Sequence, residues 1–181
     1  MGKKFTAITP EQQAFIARQA VWFVATCAPG ARINLSPKGM DSLRILNPNR
    51  LLWLNLVGSG NETAAHLQED PRMTLMFCAF DHPPQILRLY GQARAIHPGE
   101  PEWESALRPF PSSFGARQVV QMEVDLVHTS CGFGVPLYTF QGERQTLDAW
   151  LQAKGEEGLA RYQQEHNRVS LDGRPIVAGG S

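Results

Sequence analysis

Cysteine is scarce in this chain. Cys27, Cys78 and Cys131 are odd in number and far apart, which excludes a disulfide framework. No pair has the close spacing of a zinc knuckle or a redox dithiol, so a reducing compartment is expected. An excess of either charge is lacking too. Seventeen basic residues balance seventeen acidic ones, leaving no global field to draw nucleic acid or an anionic membrane. Any bound anion must be held locally. Long apolar runs are missing: residues 21–25 and 51–57 are too short to span a bilayer. No apolar stretch follows Met1–Phe5, so no secretory signal is expected and the protein reads as cytoplasmic. There is no Walker loop, no Gly-x-Gly-x-x-Gly, no His-Glu-x-x-His and no nucleophile elbow. His66, His82, His97, His128 and His166 are scattered singly, and no metal site is expected.

What remains is an ordinary globular composition. The 181 residues are 43% apolar and 19% charged, enough for one domain whose core needs no covalent staple. Thr9-Pro10-Glu11-Gln12 has the form of a capping box opening a helix to about residue 19. Six β-rich runs follow, at residues 21–27, 31–35, 50–57, 73–80, 85–96 and 118–128. Turn residues such as Pro29-Gly30, Gly58-Ser59-Gly60 and Pro83-Pro84 punctuate them. In the last run Val119, Gln121, Glu123 and Asp125 alternate with Val120, Met122, Val124 and Leu126, so one face is wet or lines a polar site. Short helices are expected at 61–69 and 102–107. Amphipathic helical segments follow at 146–154 and 157–165. Strands with so few helices imply a mainly β, closed or partly closed antiparallel barrel. The expected division is a barrel over 1–145 and a helical extension with its tail over 146–181.

Two segments carry candidate binding chemistry. Asn34-Leu35-Ser36-Pro37-Lys38-Gly39 ends a strand with a hydroxyl, an ammonium and a glycine. Asn55-Leu56-Val57-Gly58-Ser59-Gly60-Asn61-Glu62-Thr63 runs from strand through glycine turn to helix start. Free backbone N–H groups at such a start suit a phosphate, with Asn61 and Thr63 as added donors and Lys38 as countercharge. The same residues also read as a plain helix cap and chain turn.

The ordered set of these segments, with Leu52-Trp53-Leu54-Asn55, Asp70-Pro71-Arg72-Met73-Thr74-Leu75-Met76-Phe77 and Leu89-Tyr90-Gly91-Gln92-Ala93-Arg94, resembles the pyridoxamine 5'-phosphate oxidase-like family of FMN-binding split barrels. Thr129-Ser130-Cys131-Gly132-Phe133-Gly134-Val135-Pro136 is similar to an uncharacterised branch of it. The resemblance runs over about residues 8 to 140. It implies a six-stranded antiparallel split barrel and a homodimer with FMN in clefts between subunits. It also implies an oxidoreductase acting on a small molecule. Carried over by position, Ser36, Lys38, Asn61 and Thr63 would hold the flavin phosphate. Asn55 and Ser59 would lie by the ribityl chain or ring, Asn34 would be a further cofactor-binding residue, and Arg88 would lie on the strand facing the partner's flavin. Asn61-Glu62-Thr63 stands where the vitamin-synthesising enzyme has Ser-Arg-Lys, so the phosphate would rest on Lys38 and backbone N–H groups. The tail from His166 to Pro175 also lacks that enzyme's arginine–histidine substrate motif. A bound flavin supplies the redox chemistry, so no acid–base pair is required; His128 and Cys131 are the weak catalytic candidates beside the expected cleft. Two other functions fit the same barrel. One is a haem-binding or haem-handling protein with His128 or His66 as axial ligand. The other is a non-catalytic module.

Overall fold

The computed structural model describes residues 2–176. Eight strands are joined in one antiparallel system: β1 (Lys3–Phe5), β2 (Trp22–Thr26), β3 (Asn34–Lys38), β4 (Leu43–Asn47), β5 (Arg50–Leu56), β6 (Arg72–Cys78), β7 (Ile86–Ile96) and β8 (Ala116–Ser130). The strand order is β3-β2-β6-β7-β8-β5-β4, with β1 added to β8. The six-stranded expectation is thus corrected to eight. Lys3–Phe5 and Leu43–Asn47 pair as strands although neither has an unbroken apolar run, because long neighbours, β8 and β5, offer them a template.

β3 and β4 end the strand path yet follow each other in the chain, so residues 39–42 cross the split in the barrel. This edge position lets β3 carry Pro37, whose missing N–H would leave a gap in a central strand. β3 also starts three residues later than expected, which puts Ser36 and Lys38 inside the strand and not beyond it.

The core is built on the alternation the sequence displays. In β2 the inward residues are Trp22, Val24 and Thr26. Trp22 meets Trp53 of β5 edge-on, with ring centroids 5.7 Å apart, and lies along Phe77 of β6 at 6.1 Å. Such pairs contribute about 0.5–1.5 kcal/mol each beyond their area. β7 and β8 form the longest ladder, and its register shifts between Tyr90 and Gly91. A Cβ on Gly91 would run into the Glu123 carbonyl, so the bulge requires glycine there.

Helix α1 (Pro10–Ala17) has the capping box read from its sequence: the Gln12 N–H donates to Thr9 Oγ1 at 3.2 Å, and the Thr9 N–H to Gln12 Oε1 at 2.9 Å. Helix α2 (Glu62–His66) is shorter than expected, and α3 spans Trp103–Leu107. Asn61 occupies the cap position of α2, yet its side chain makes no capping bond. Helix α4 (Thr146–His166) is broken at Gly155, with φ 62° and ψ 174°, so it consists of the two segments the sequence displays. Leu151 and Leu159 bury α4 against Val57 and Phe114 of the barrel. No helix among the described residues is long and apolar enough to cross a membrane.

Candidate functional site

Asn34, Ser36, Lys38, Asn55, Ser59, Asn61 and Thr63, the residues chosen from two separate segments, line one cavity of about 400 Å³ at the barrel's split. Strand alternation places them: Asn34, Ser36 and Lys38 are every second residue of β3 and share one of its faces. Arg88, His128 and Cys131 are elsewhere. Arg88 sits on β7 opposite His128 and donates to Ser130 Oγ at 3.2 Å. His128 lies near the end of β8 remote from the cavity, Cys131 lies just beyond that end, and neither lines the cavity. Within one chain they stand apart from this cavity; the cleft expected for them lies between subunits. The long strand β8 separates them from the cavity, and the alternation in the sequence carries no information on distance along a strand.

The residue that sequence reasoning missed is Arg117. It lies at the start of β8, only 5% exposed, and lines the same cavity. Its guanidinium donates to Asn167 Oδ1 at 2.9 Å, to the Gly58 and Gly60 carbonyls, and to Asn55 Oδ1 at 3.4 Å. Its Nε is buried without a partner. Alternation along the strand does not reveal it: the β5–β8 register shifts between Gln118 and Ala116, so Arg117 falls in a bulge and meets Asn55, as Gln118 does.

Electrostatics set this cavity apart. Among the described residues, neither Lys38 nor Arg117 pairs with a carboxylate. Burial pushes the Lys38 ammonium down to about 8, and the nearby Arg117 charge pushes in the same direction. The Lys38 ammonium also lies 4.9 Å from the Trp53 ring centre, a contact that favours its charged form. Burial lowers Arg117 to about 10, so it stays charged near neutrality. Two like charges held in a partly desolvated recess raise each other's energy, and a bound anion relieves both. Among the described residues the one carboxylate lining the cavity, Glu62, instead accepts the Leu171 N–H.

Two polar networks hold the walls. Asn55 donates to Gln118 Oε1 at 2.9 Å and to Asn61 Oδ1 at 3.4 Å, which explains why Asn61 does not cap its helix. Asn34 donates to both Thr26 Oγ1 and Thr63 Oγ1 at 3.1 Å, and Thr26 Oγ1 meets His66 Nδ1 at 3.1 Å. His66 is 1% exposed and does not line this cavity. The tail closes one side. Asn167 also donates to the Gly58 carbonyl at 2.9 Å, Arg32 pairs with Asp172, and Arg174 pairs with Glu69.

A family model described as pyridoxamine 5'-phosphate oxidase matches residues 8–131. The chain belongs to the pyridoxamine 5'-phosphate oxidase family. A pyridoxamine 5'-phosphate oxidase family protein of Aspergillus flavus, ustO, is 33% identical over 192 residues, covering 94% of this chain and 76% of the relative. HupZ of Group A Streptococcus has the same fold, with a TM-score of 0.56 and 18% identity over 68% of this chain and 99% of that one. A Lactobacillus delbrueckii protein provisionally named for the same oxidase gives 0.55 and 19%, over 68% and 94%. These likenesses identify the split barrel. The family match ends at Cys131, so Leu147 and Asn167, which line or brace the cavity, lie outside it.

Proposed function

We propose that this protein is an FMN-binding flavoprotein, an oxidoreductase of a small molecule, with the cavity at the barrel's split as its flavin site. The observation that carries the reading is the meeting of Lys38 and Arg117 in one recess with no carboxylate partner among the described residues. The donor set fits a phosphorylated, polyhydroxylated cofactor. Lys38, Arg117, Ser36 and Thr63 suit the phosphate, while Asn34, Asn55, Ser59 and Asn61 suit the ribityl hydroxyls and the ring edge. Arg117 Nε, buried without a partner, is a donor that such an anion satisfies. A bound flavin supplies hydride transfer. This chain's residues bind and orient it, and the apolar neighbours Trp53, Leu54 and Leu56 exclude water beside it.

We extend the proposal to a homodimer. Ile33 and Leu35, beside the cavity residue Asn34, are 75% and 64% exposed, and Phe133 is 82% exposed. A second copy would cover such apolar surface and bring Arg88, His128 and Cys131 towards a partner's cavity. The three cysteines are all free, in keeping with a reducing, cytoplasmic setting.

Titration with FMN, followed by flavin fluorescence and by sedimentation, tests the reading. The expected result is saturable binding by a species of twice the 20.1 kDa chain mass. Arg117→Met should weaken that binding about ten- to a hundred-fold, the worth of one charge-assisted hydrogen-bonding group. A protein that takes no FMN, or an Arg117→Met variant that binds it as wild type does, overturns the assignment.

A further inference from the structure

A second cavity, of about 660 Å³, lies beside the first. Gly39, Met40, Val57, Gly58, Ser59 and Leu147 line both, so the two form one recess with a polar end and an apolar end. The outer wall of the apolar end comes from α4, beyond the segment that matches the family. Trp150 and Tyr162 stand there edge to face, with ring centroids 5.0 Å apart. Lys154 lies 5.6 Å from each ring centre without lining the cavity, and so braces the pair. Gly155 breaks α4 between the two aromatics, which lets its halves fold so that their rings meet.

Met40 joins the two ends, and its φ of 59° is the only positive value at a non-glycine among the described residues. A left-handed methionine is held against its preference, and such positions concentrate where a ligand is clamped. Its thioether also makes favourable contacts with aromatic rings.

We propose that the apolar end is a substrate subsite, closed by α4, for a flat and largely uncharged aromatic molecule. The wall chemistry selects that class. Trp150, Tyr162, Met40, Val57 and Leu147 supply rings and aliphatic surface, and rings prefer offset or edge-on partners. A charged ligand would lose its hydration there without a countercharge, because among the described residues the charged ones that line it, Glu143 and Arg144, are both exposed. That the occupant is a substrate rests on the flavin reading; that it is aromatic does not.

Calorimetric titration with 2-naphthol, with and without saturating FMN, tests this. Wild-type protein should bind the probe in both states. Trp150→Ala should weaken it about tenfold, as loss of a buried ring contact demands, and Trp150→Phe should keep binding within about threefold. FMN affinity of both variants should stay within about twofold of wild type, which also shows that they fold. Probe binding that depends on Trp150 when FMN does not bind leaves the subsite standing and removes only the flavin. No binding up to about 1 mM probe, or equal binding by Trp150→Ala, overturns it. So does a Trp150→Ala variant whose only defect is loss of self-association.

Discussion

Lys38 should make the proposed cofactor site sensitive to pH, with opposite signs for binding and folding. Its ammonium titrates at about 8 in the folded, ligand-free protein because burial and Arg117 both disfavour the charge. A phosphate monoester is a dianion from about pH 7 upwards, and Arg117, at about 10, keeps its charge to pH 9. Over that range only Lys38 changes among the two cations. It is about nine-tenths charged at pH 7 and one-tenth at pH 9, so affinity for FMN should fall about tenfold, or 1.4 kcal/mol. Fluorescence titration at low, constant ionic strength measures this, since salt would screen the effect. Lys38→Met should bind weakly and show no such slope. Folding responds the other way. The unfolded chain's lysine titrates near 10.5, so between pH 8 and 10.5 the unfolded state binds the extra proton and stability rises with pH. Below pH 8 both states hold the proton and this contribution is flat. The difference in melting temperature between wild type and Lys38→Met should therefore shift in favour of wild type as pH rises from 8 to 10. A flat wild-type affinity between pH 7 and 9, or a slope that persists in Lys38→Met, refutes the reasoning.

Asn167→Asp places a carboxylate against Arg117 Nη1, at a contact of 2.9 Å. It should cost about tenfold in FMN affinity by neutralising that charge, and some thermal stability as well, because a carboxylate cannot donate to the Gly58 carbonyl as the Asn167 amide does at 2.9 Å; unchanged affinity in a flavin titration would remove Arg117 from the phosphate's partners. Gly91→Ala drives a methyl into the Glu123 carbonyl at the β7–β8 bulge. Overpacking of that kind should lower stability by about 1–3 kcal/mol in urea unfolding, and a change under about 0.5 kcal/mol would show that the bulge relaxes freely.

What could be read from the sequence follows from how local each signal is. The capping box at Thr9 and Gln12 needs only four residues, and it forms. The β2, β5, β6, β7 and β8 segments carry their own alternation or apolar runs and are found within a few residues. Leu43–Asn47 is a strand only because Arg50–Leu56 pairs with it, and its half-buried pattern has no periodicity of its own. The candidate site divides in the same way. Asn34, Ser36 and Lys38 were legible as one strand face once the strand was located. Arg117 was not, because its value comes from Asn55, Gly60 and Asn167, partners 50 to 62 residues away. Asn61 shows the converse: its local sequence marks it as a cap, and the longer-range bond from Asn55 takes the side chain instead.

Arg117 also resolves the difficulty that Asn61-Glu62-Thr63 poses for an anion site. That stretch contributes no cation, and Glu62 adds a negative charge to the lining. An anion site must then draw its second positive charge from another element, and the charge must be held where it cannot collapse onto a carboxylate. β8 meets the first requirement by starting at the cavity floor beside β5. The tail meets the second. Its Leu171 N–H engages Glu62, while Asn167 holds Arg117 through a neutral oxygen that leaves the charge uncompensated. A carboxylate at position 167 would hold the guanidinium equally well and extinguish the field, whereas an amide fixes the geometry and preserves it. Asn167 and Leu171 thus belong to the proposed anion site as much as β3 does. Shortening the chain before Asn167 should weaken FMN binding even where the barrel stays folded.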